Sequence, residues 1–141
     1  MPLILKLMQK IEHIGIAVSN LEEASKTYEA LLNSKVYKTE TVASEGVTTA
    51  FLKTGPNKIE LLEAAHTNSP IAKFIAKKGE GIHHIAFAVD DIKAEVIRLK
   101  NEGFHIINET PKRGADGKWV VFVHPKDSNG VLVELCQDII E

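Results

Sequence analysis

Several features that define special classes of protein are missing from this sequence. Its single cysteine, Cys136, excludes an internal disulfide and favours a reducing compartment. The 17 Lys and Arg residues are balanced by 19 Asp and Glu residues, so no positive excess favours nucleic acid. The apolar opening, residues 1–8, is too short for a membrane span and lacks the pattern of a signal peptide. We therefore expect one cytoplasmic domain over residues 1–141, with the opening leading into the first strand.

What the sequence does contain is a repeat. The stretch Ile11–Val18 returns as Ile82–Val89, and the two copies carry His13 and His84 at equivalent positions. A predicted helix follows each copy, and a later β-patterned run in each half holds one acid among apolar residues, Glu60 in the first half and Glu134 in the second. The number of residues between His13 and His84 is nearly the same as the number between Glu60 and Glu134, which indicates a tandem duplication.

Each half has the pattern of a βαβββ module. Capping residues start the helices, with Asn20 and Glu23 at the spacing of a capping box in the first, and Gly or Asn residues end them. The modules cover about residues 9–63 and 82–137, and a connecting helix at about 69–79 begins at Ser69-Pro70. We expect an α+β fold in which both modules form one cupped, eight-stranded mixed sheet around a metal site. The predicted strands are 9–18, 35–42, 47–53, the run holding Glu60, 82–89, 104–108, 117–124 and 131–137.

Strand alternation indicates which side chains meet. His13 shares a strand face with Gly15 and Ala17, and the second copy repeats this pattern, so both histidine faces are lined by small residues and leave room for a cavity. A single strand histidine is most often structural, and a lone acid can be an edge residue. Four coincidences of residue type, face and offset instead predict a divalent-metal site. His83 should face away from His84 and serve as a packing or outer-sphere residue.

These modules resemble the vicinal oxygen chelate superfamily and, within it, most closely the methylmalonyl-CoA epimerase family. The resemblance runs almost from end to end. Its most specific stretches are Ser69–Ile75, Gly81–Ala86, Val89–Ile92, Phe122–Lys126 and Gly130–Leu135.

The resemblance implies a divalent ion, typically cobalt, with zinc, nickel or manganese as alternatives. It implies that His13, His84 and Glu134 hold the ion, with Glu60 in the fourth position. The implied activity is epimerisation of a CoA thioester, methylmalonyl-CoA, by proton abstraction and return at C2 through a metal-stabilised enolate. It also implies a homodimer with no nucleic-acid or membrane partner.

Inversion at C2 requires two acid/base groups, and here the sequence departs from part of the family. Some relatives use a glutamate where this chain has Thr49, which cannot replace a carboxylate. Either Glu134 and Glu60 combine ligation with proton transfer, or Glu45 approaches from the preceding loop. Basic residues near the last strands are candidates for holding the CoA phosphates: Lys112, Arg113, Lys118 and Lys126.

Three alternatives share this fold. A glyoxalase I-type lyase acting on a glutathione hemithioacetal uses the same kind of ligand set, but the segment from His124 to Leu132 favours the epimerase. A ring-cleaving iron dioxygenase usually has two histidines and one carboxylate. A metal-free binding module generally lacks the full set of four.

Overall fold

A computed structural model describes residues 8–140, so the predicted lead-in at residues 1–7 lies outside the described residues. Within this range the chain forms eight strands and three α-helices, with no helix long and apolar enough to cross a membrane. The first half contains β1 (Met8–Ala17), α1 (Leu21–Leu32), β2 (Val36–Val42), β3 (Val47–Thr54) and β4 (Asn57–Ala64). The connector is α2 (Pro70–Lys78), and the second half contains β5 (Gly81–Val89), α3 (Ile92–Asn101), β6 (Lys112–Arg113), β7 (Lys118–Val123) and β8 (Val133–Asp138).

The strands form one mixed sheet in the order β2-β3-β4-β1-β5-β8-β7-β6. In each half the first strand pairs parallel with the last, β1 with β4 and β5 with β8, and the other pairs are antiparallel. The halves meet where β1 and β5 pair antiparallel, so the sheet order of one half mirrors that of the other. The predicted α+β fold with two βαβββ modules in one eight-stranded sheet is confirmed.

Local sequence explains where the helices begin. Asn20, Ser69 and Asp91 have extended backbones, and each side chain accepts a hydrogen bond from the N–H three residues later. These contacts satisfy amide groups that the first helical turn leaves without partners. Asn33 ends α1 in the left-handed conformation, with φ of 50°, which asparagine tolerates better than most residues.

The two faces of the sheet have different environments. On one face, α1 packs over a core that includes Leu52 and Leu61, and α3 packs over a core that includes Val121 and Leu135. Residues of opposite parity in the same strands face a cavity on the other side of the sheet. Helices α1 and α3 therefore cover one face of the sheet, and the other face is left for a site that α2 borders, with Ile71 packed against Val47 and Leu62.

One predicted strand is wrong. Residues 104–108 form no strand apart from an isolated bridge at Ile106, and the short strand β6 lies farther along the chain. The side chain of Asn108 explains the difference, because its Oδ1 accepts the backbone N–H of Phe122 on β7 at 2.9 Å. The Asn108 side chain thus accepts a hydrogen bond that a backbone carbonyl would accept if residues 104–108 formed a regular strand beside β7.

Candidate metal centre and its cavity

Two imidazoles and two carboxylates converge on one point at the junction of the two halves. The Nε2 atoms of His13 and His84 are 3.1 Å apart. Oε1 of Glu60 lies 3.2 Å from Nε2 of His13 and 3.3 Å from Nε2 of His84. The carboxylate of Glu134 lies 3.7 Å and 3.2 Å from the same two nitrogens. The structure thus brings together the four residues that the repeat singled out.

Strand register explains how four large side chains share this space. Gly15 on β1 is paired with Glu60 of β4 on one side and with His84 of β5 on the other. Ala86 has the equivalent position in the second half, where it pairs with His13 of β1 on one side and with Glu134 of β8 on the other. The missing side chain matters most at Gly15, because a Cβ there would lie 2.2 Å from Cε1 of His84. The imidazole therefore packs directly against bare backbone.

A β-bulge lies beside each cluster histidine. The pairing of β1 with β5 shifts between Ile11 and His13, and again opposite His83. The first bulge brings Oε1 of Glu12 within 3.0 Å of Nδ1 of His13. The second brings Nδ1 of His83 within 2.9 Å of Nδ1 of His84. A bulge places neighbouring residues on the same side of a strand, so each Nδ1 has a partner that leaves Nε2 directed into the cluster.

The cluster is buried and strongly polarised. Burial opposes charge on His13, but hydrogen bonds with Glu12 and Glu60 raise its pKa to about 10. Burial works against ionisation of Glu60 as well, yet its contacts with the two histidines lower its pKa to about 2. Burial raises the pKa of Glu134. Burial and close contacts between opposite charges therefore act against each other in setting the protonation of these side chains.

The donor set fits a divalent ion. Ligand atoms about 2.1 Å from an ion lie about 3.0 Å apart at a right angle and about 3.4 Å apart in a tetrahedron. The two histidine nitrogens lie 3.1 Å from each other and 3.2 to 3.7 Å from the carboxylates of Glu60 and Glu134, close to those values. Two imidazole nitrogens with two carboxylates suit cobalt, zinc, nickel or manganese, and the donors alone do not select one of these ions.

A cavity of about 370 Å³ opens onto the cluster. Its wall is mostly apolar, and Glu45 and Lys112 add a charged pair whose Oε2 and Nζ atoms lie 2.9 Å apart. Thr49 is fully buried between two wall residues of β3, and its hydroxyl has no hydrogen-bond partner among the described residues. Each group considered for proton transfer, Glu45, Glu60 and Glu134, lines the cavity, whereas Thr49 offers no carboxylate. The apolar wall includes Val47, Phe51, Leu62, Pro70, Ile71, Ile107, Gly114, Ala115, Val120, Phe122 and Leu132.

The basic residues expected at the phosphate rim differ in their positions. Lys112 lines the cavity and its Nζ lies 5.6 Å from the centre of the Phe122 ring. Lys118 forms an ion pair with Asp138, Arg113 stacks over a tryptophan ring, and Lys126 lies in the turn after β7. None of these last three lines the described cavity, so they stay predictions for contacts farther along a long substrate.

Sequence reasoning missed a group of charged residues behind His13. Glu12 is only 4% exposed, and its Oε2 lies 3.0 Å from Nζ of Lys58. Nζ of Lys58 also lies 3.0 Å from Oδ2 of Asp116, which belongs to the second half. Glu12 was overlooked because simple alternation places it on the opposite face from its neighbour, and the sequence carries no signal for the bulge that reverses this.

Residues 12–122 match the Glyoxalase/Bleomycin resistance protein/Dioxygenase superfamily, and the chain belongs to this superfamily. The chain is 43% identical to human mitochondrial methylmalonyl-CoA epimerase over 91% of its own length and 73% of the relative's. It is also 43% identical to the ethylmalonyl-CoA/methylmalonyl-CoA epimerase of Cereibacter sphaeroides, covering 93% and 99% of the two chains.

A solved structure extends the likeness to three dimensions. A variant of Streptomyces coelicolor methylmalonyl-CoA epimerase in complex with 2-nitronate-propionyl-CoA superposes with a TM-score of 0.90 at 36% identity. The match covers 93% of this chain and 95% of that one. Within the superfamily, the chain therefore belongs to the methylmalonyl-CoA epimerases, a family of isomerases.

Proposed function

We propose that this protein interconverts the C2 epimers of methylmalonyl-CoA in a metal-dependent reaction that removes and returns the C2 proton. The observation that carries this proposal is the meeting of two His and two Glu side chains at a cavity that also contains a separate carboxylate. Relatives that are 43% identical to this chain are named for this reaction. A cytoplasmic location and a homodimeric state belong to the same proposal.

The cluster would hold the ion through Nε2 of His13 and His84 and through the carboxylates of Glu60 and Glu134. A bound divalent ion would supply Lewis-acid stabilisation for the negative charge that develops on the thioester oxygen. We propose cobalt as the preferred ion. The protein fixes the donors by burying them and by giving each Nδ1 a partner, which reduces the freedom of the two rings.

Inversion needs proton transfer on both faces of C2, so the two acid/base groups must lie on different sides of the substrate. Glu60 and Glu134 both contact the two imidazole nitrogens, so both carboxylates are also needed to hold the ion. Glu45 comes from a different element, the turn Ala43–Glu45 before β3, and lines the cavity. We assign Glu134, whose burial raises its pKa, and Glu45 as the two proton-transfer groups, with Glu60 as a ligand.

Lys112 is the cation best placed to meet the anionic acyl group, because it lines the cavity beside Glu45. Its ammonium holds the Glu45 carboxylate at 2.9 Å and so defines where that carboxylate lies before substrate enters. Lys118, Arg113 and Lys126 remain candidates for the CoA phosphates, and an increased KM with unchanged kcat in Lys126→Ala would identify a binding role.

The test is proton NMR of methylmalonyl-CoA in D₂O with cobalt-loaded protein, with metal-stripped protein and Glu45→Gln in parallel. We expect the loaded enzyme to exchange the C2 proton and to form the other epimer. Glu45→Gln should bind cobalt normally but lose about two to four orders of magnitude in turnover. Glu22→Gln, a matched change on the exposed face of α1, should behave as wild type.

Two results would contradict the proposal. Absence of exchange with folded, cobalt-loaded wild-type protein would reject the epimerase reaction, and turnover of the glutathione hemithioacetal of methylglyoxal would then indicate a glyoxalase. Full activity of Glu45→Gln would instead return the second proton transfer to Glu60.

A further inference from the structure

The loop between β6 and β7 of the second half is fastened to the first half through Asp116. Oδ2 of Asp116 accepts hydrogen bonds from the hydroxyl of Tyr37 and from Nζ of Lys58, each at 3.0 Å. Its backbone N–H donates to Oε1 of Glu40 at 2.9 Å. Asp116 adopts the left-handed conformation, with φ of 60°, and two residues before it in the same loop, 114 and 115, line the cavity.

The same contact continues inward to the cluster. Lys58 pairs in register with His13, on the neighbouring strand. Its Nζ lies 3.0 Å from Oε2 of Glu12, and the other oxygen of Glu12 lies 3.0 Å from Nδ1 of His13. A continuous series of charged contacts therefore joins a cavity loop in one half to a cluster histidine in the other.

The cost of burying the Glu12 carboxylate shows which residue in this series depends on which. Glu12 is a buried carboxylate, and such a group is stable only while its hydrogen-bonding capacity is met. Lys58 meets that need from a half-buried position, its side chain 18% exposed, between the carboxylates of Glu12 and Asp116. With both carboxylates in place the ammonium has one favoured position, which in turn fixes the plane of the Glu12 carboxylate against His13.

We propose that Asp116 is a positioning residue that holds His13 in its ligand orientation through Lys58 and Glu12. This series couples the loop, which lines the cavity, to the metal site, so that displacing the loop weakens the site. This inference rests on the proposed metal site, and it adds to it a contribution from a residue that touches neither ion nor substrate.

The experiment titrates purified, metal-free protein with Co²⁺ alone and follows the visible absorption of the bound ion, so no substrate is involved. Lys58→Met should weaken cobalt binding by roughly 10- to 100-fold, the range found for outer contacts of ligand histidines. Asp116→Asn keeps the shape and the tolerance for a positive φ but removes the charge, and should cost roughly 3- to 10-fold.

Lys38→Met is the matched control. Lys38 also reaches Asp116, with Nζ 3.4 Å from Oδ1, but it pairs with Glu40 instead of Glu12. Its removal should leave cobalt affinity within about twofold of wild type, because outer contacts act through the ligands they touch. In the double variant Lys58→Met/Asp116→Asn, affinity should match that of Lys58→Met alone, since the effect of Asp116 passes through Lys58.

Each outcome has a distinct meaning. Wild-type affinity and an unchanged cobalt spectrum in folded Asp116→Asn would overturn the positioning role and leave the proposed function intact. Equal losses of cobalt affinity in Asp116→Asn and Lys38→Met would also overturn it. The affinity would then depend on the position of the loop and not on the contact of Asp116 with Lys58. Absence of cobalt binding by the wild-type protein would overturn the metal site together with the inference.

Discussion

Replacing Gly15 with alanine tests how the cluster is packed. The added Cβ would lie 2.2 Å from Cε1, 2.5 Å from Nδ1 and 2.7 Å from Nε2 of His84. Carbon atoms in contact are normally about 3.5 to 4.0 Å apart, so the ring must retreat by more than about 1 Å. Metal–nitrogen bonds tolerate only about 0.2 Å, and a displacement of this size removes His84 from the coordination sphere.

We expect Gly15→Ala to lower the affinity for Co²⁺ by at least about 100-fold, the upper end of the effect of losing an outer contact, because here a ligand itself is lost. Competition with a chelator of known affinity measures this change, and thermal unfolding of the metal-free protein measures any separate loss of stability.

The matched comparison is a double-mutant cycle with His84→Ala. Once the imidazole is removed, the new methyl group has nothing to displace, so Gly15→Ala/His84→Ala should bind cobalt as weakly as His84→Ala and no more weakly. Wild-type affinity in Gly15→Ala would refute the reasoning, because it would mean that the ring and strand adjust without loss of the ligand.

Two further predictions concern protonation and the core. Because the pKa of His13 is raised to about 10 in the metal-free protein, an ion must displace a proton at neutral pH; apparent cobalt affinity should therefore rise as pH rises and level off near that pKa. Calorimetric titrations at two values between about pH 6.5 and 8.5 check this, and equal affinities would show that no proton is displaced. Leu61 is fully buried beneath α1, so Leu61→Ala should lower the free energy of unfolding by about 2 to 5 kcal/mol in urea denaturation. A loss below about 1 kcal/mol would show that the neighbouring side chains refill the space.

The repeat made most of the fold predictable. The positions of His13 and His84, and of the two glutamates, follow from corresponding strands placed at the same points in two similar modules. Local signals also worked where their physics is local, as at Asn20, whose side chain caps the first helix as its spacing predicted. The prediction of a strand at 104–108 failed because the apolar pattern there did not reveal the side-chain contact that Asn108 makes with β7.

The surroundings of the site were less accessible to sequence reasoning. Two bulges place Glu12 and His83 against the cluster histidines, whereas strict alternation would direct both side chains away from them. The contact of Asp116 with Lys58 joins residues far apart in sequence, and only the folded sheet brings them together. Short-range patterns thus identified the groups at the centre, whereas the residues that orient them depend on irregular pairing and long-range packing.

The antiparallel junction of β1 with β5 has a consequence for how such a site comes into being. A single repeat presents one imidazole and one carboxylate, so a chain of half this length would need a second copy, and its site would form only at sufficient protein concentration. Joining two copies in one chain makes assembly an intramolecular event that no longer depends on concentration. It also frees the copies to diverge, and they have done so next to the ligands, with an acid at position 12 and a histidine at the matching position 83.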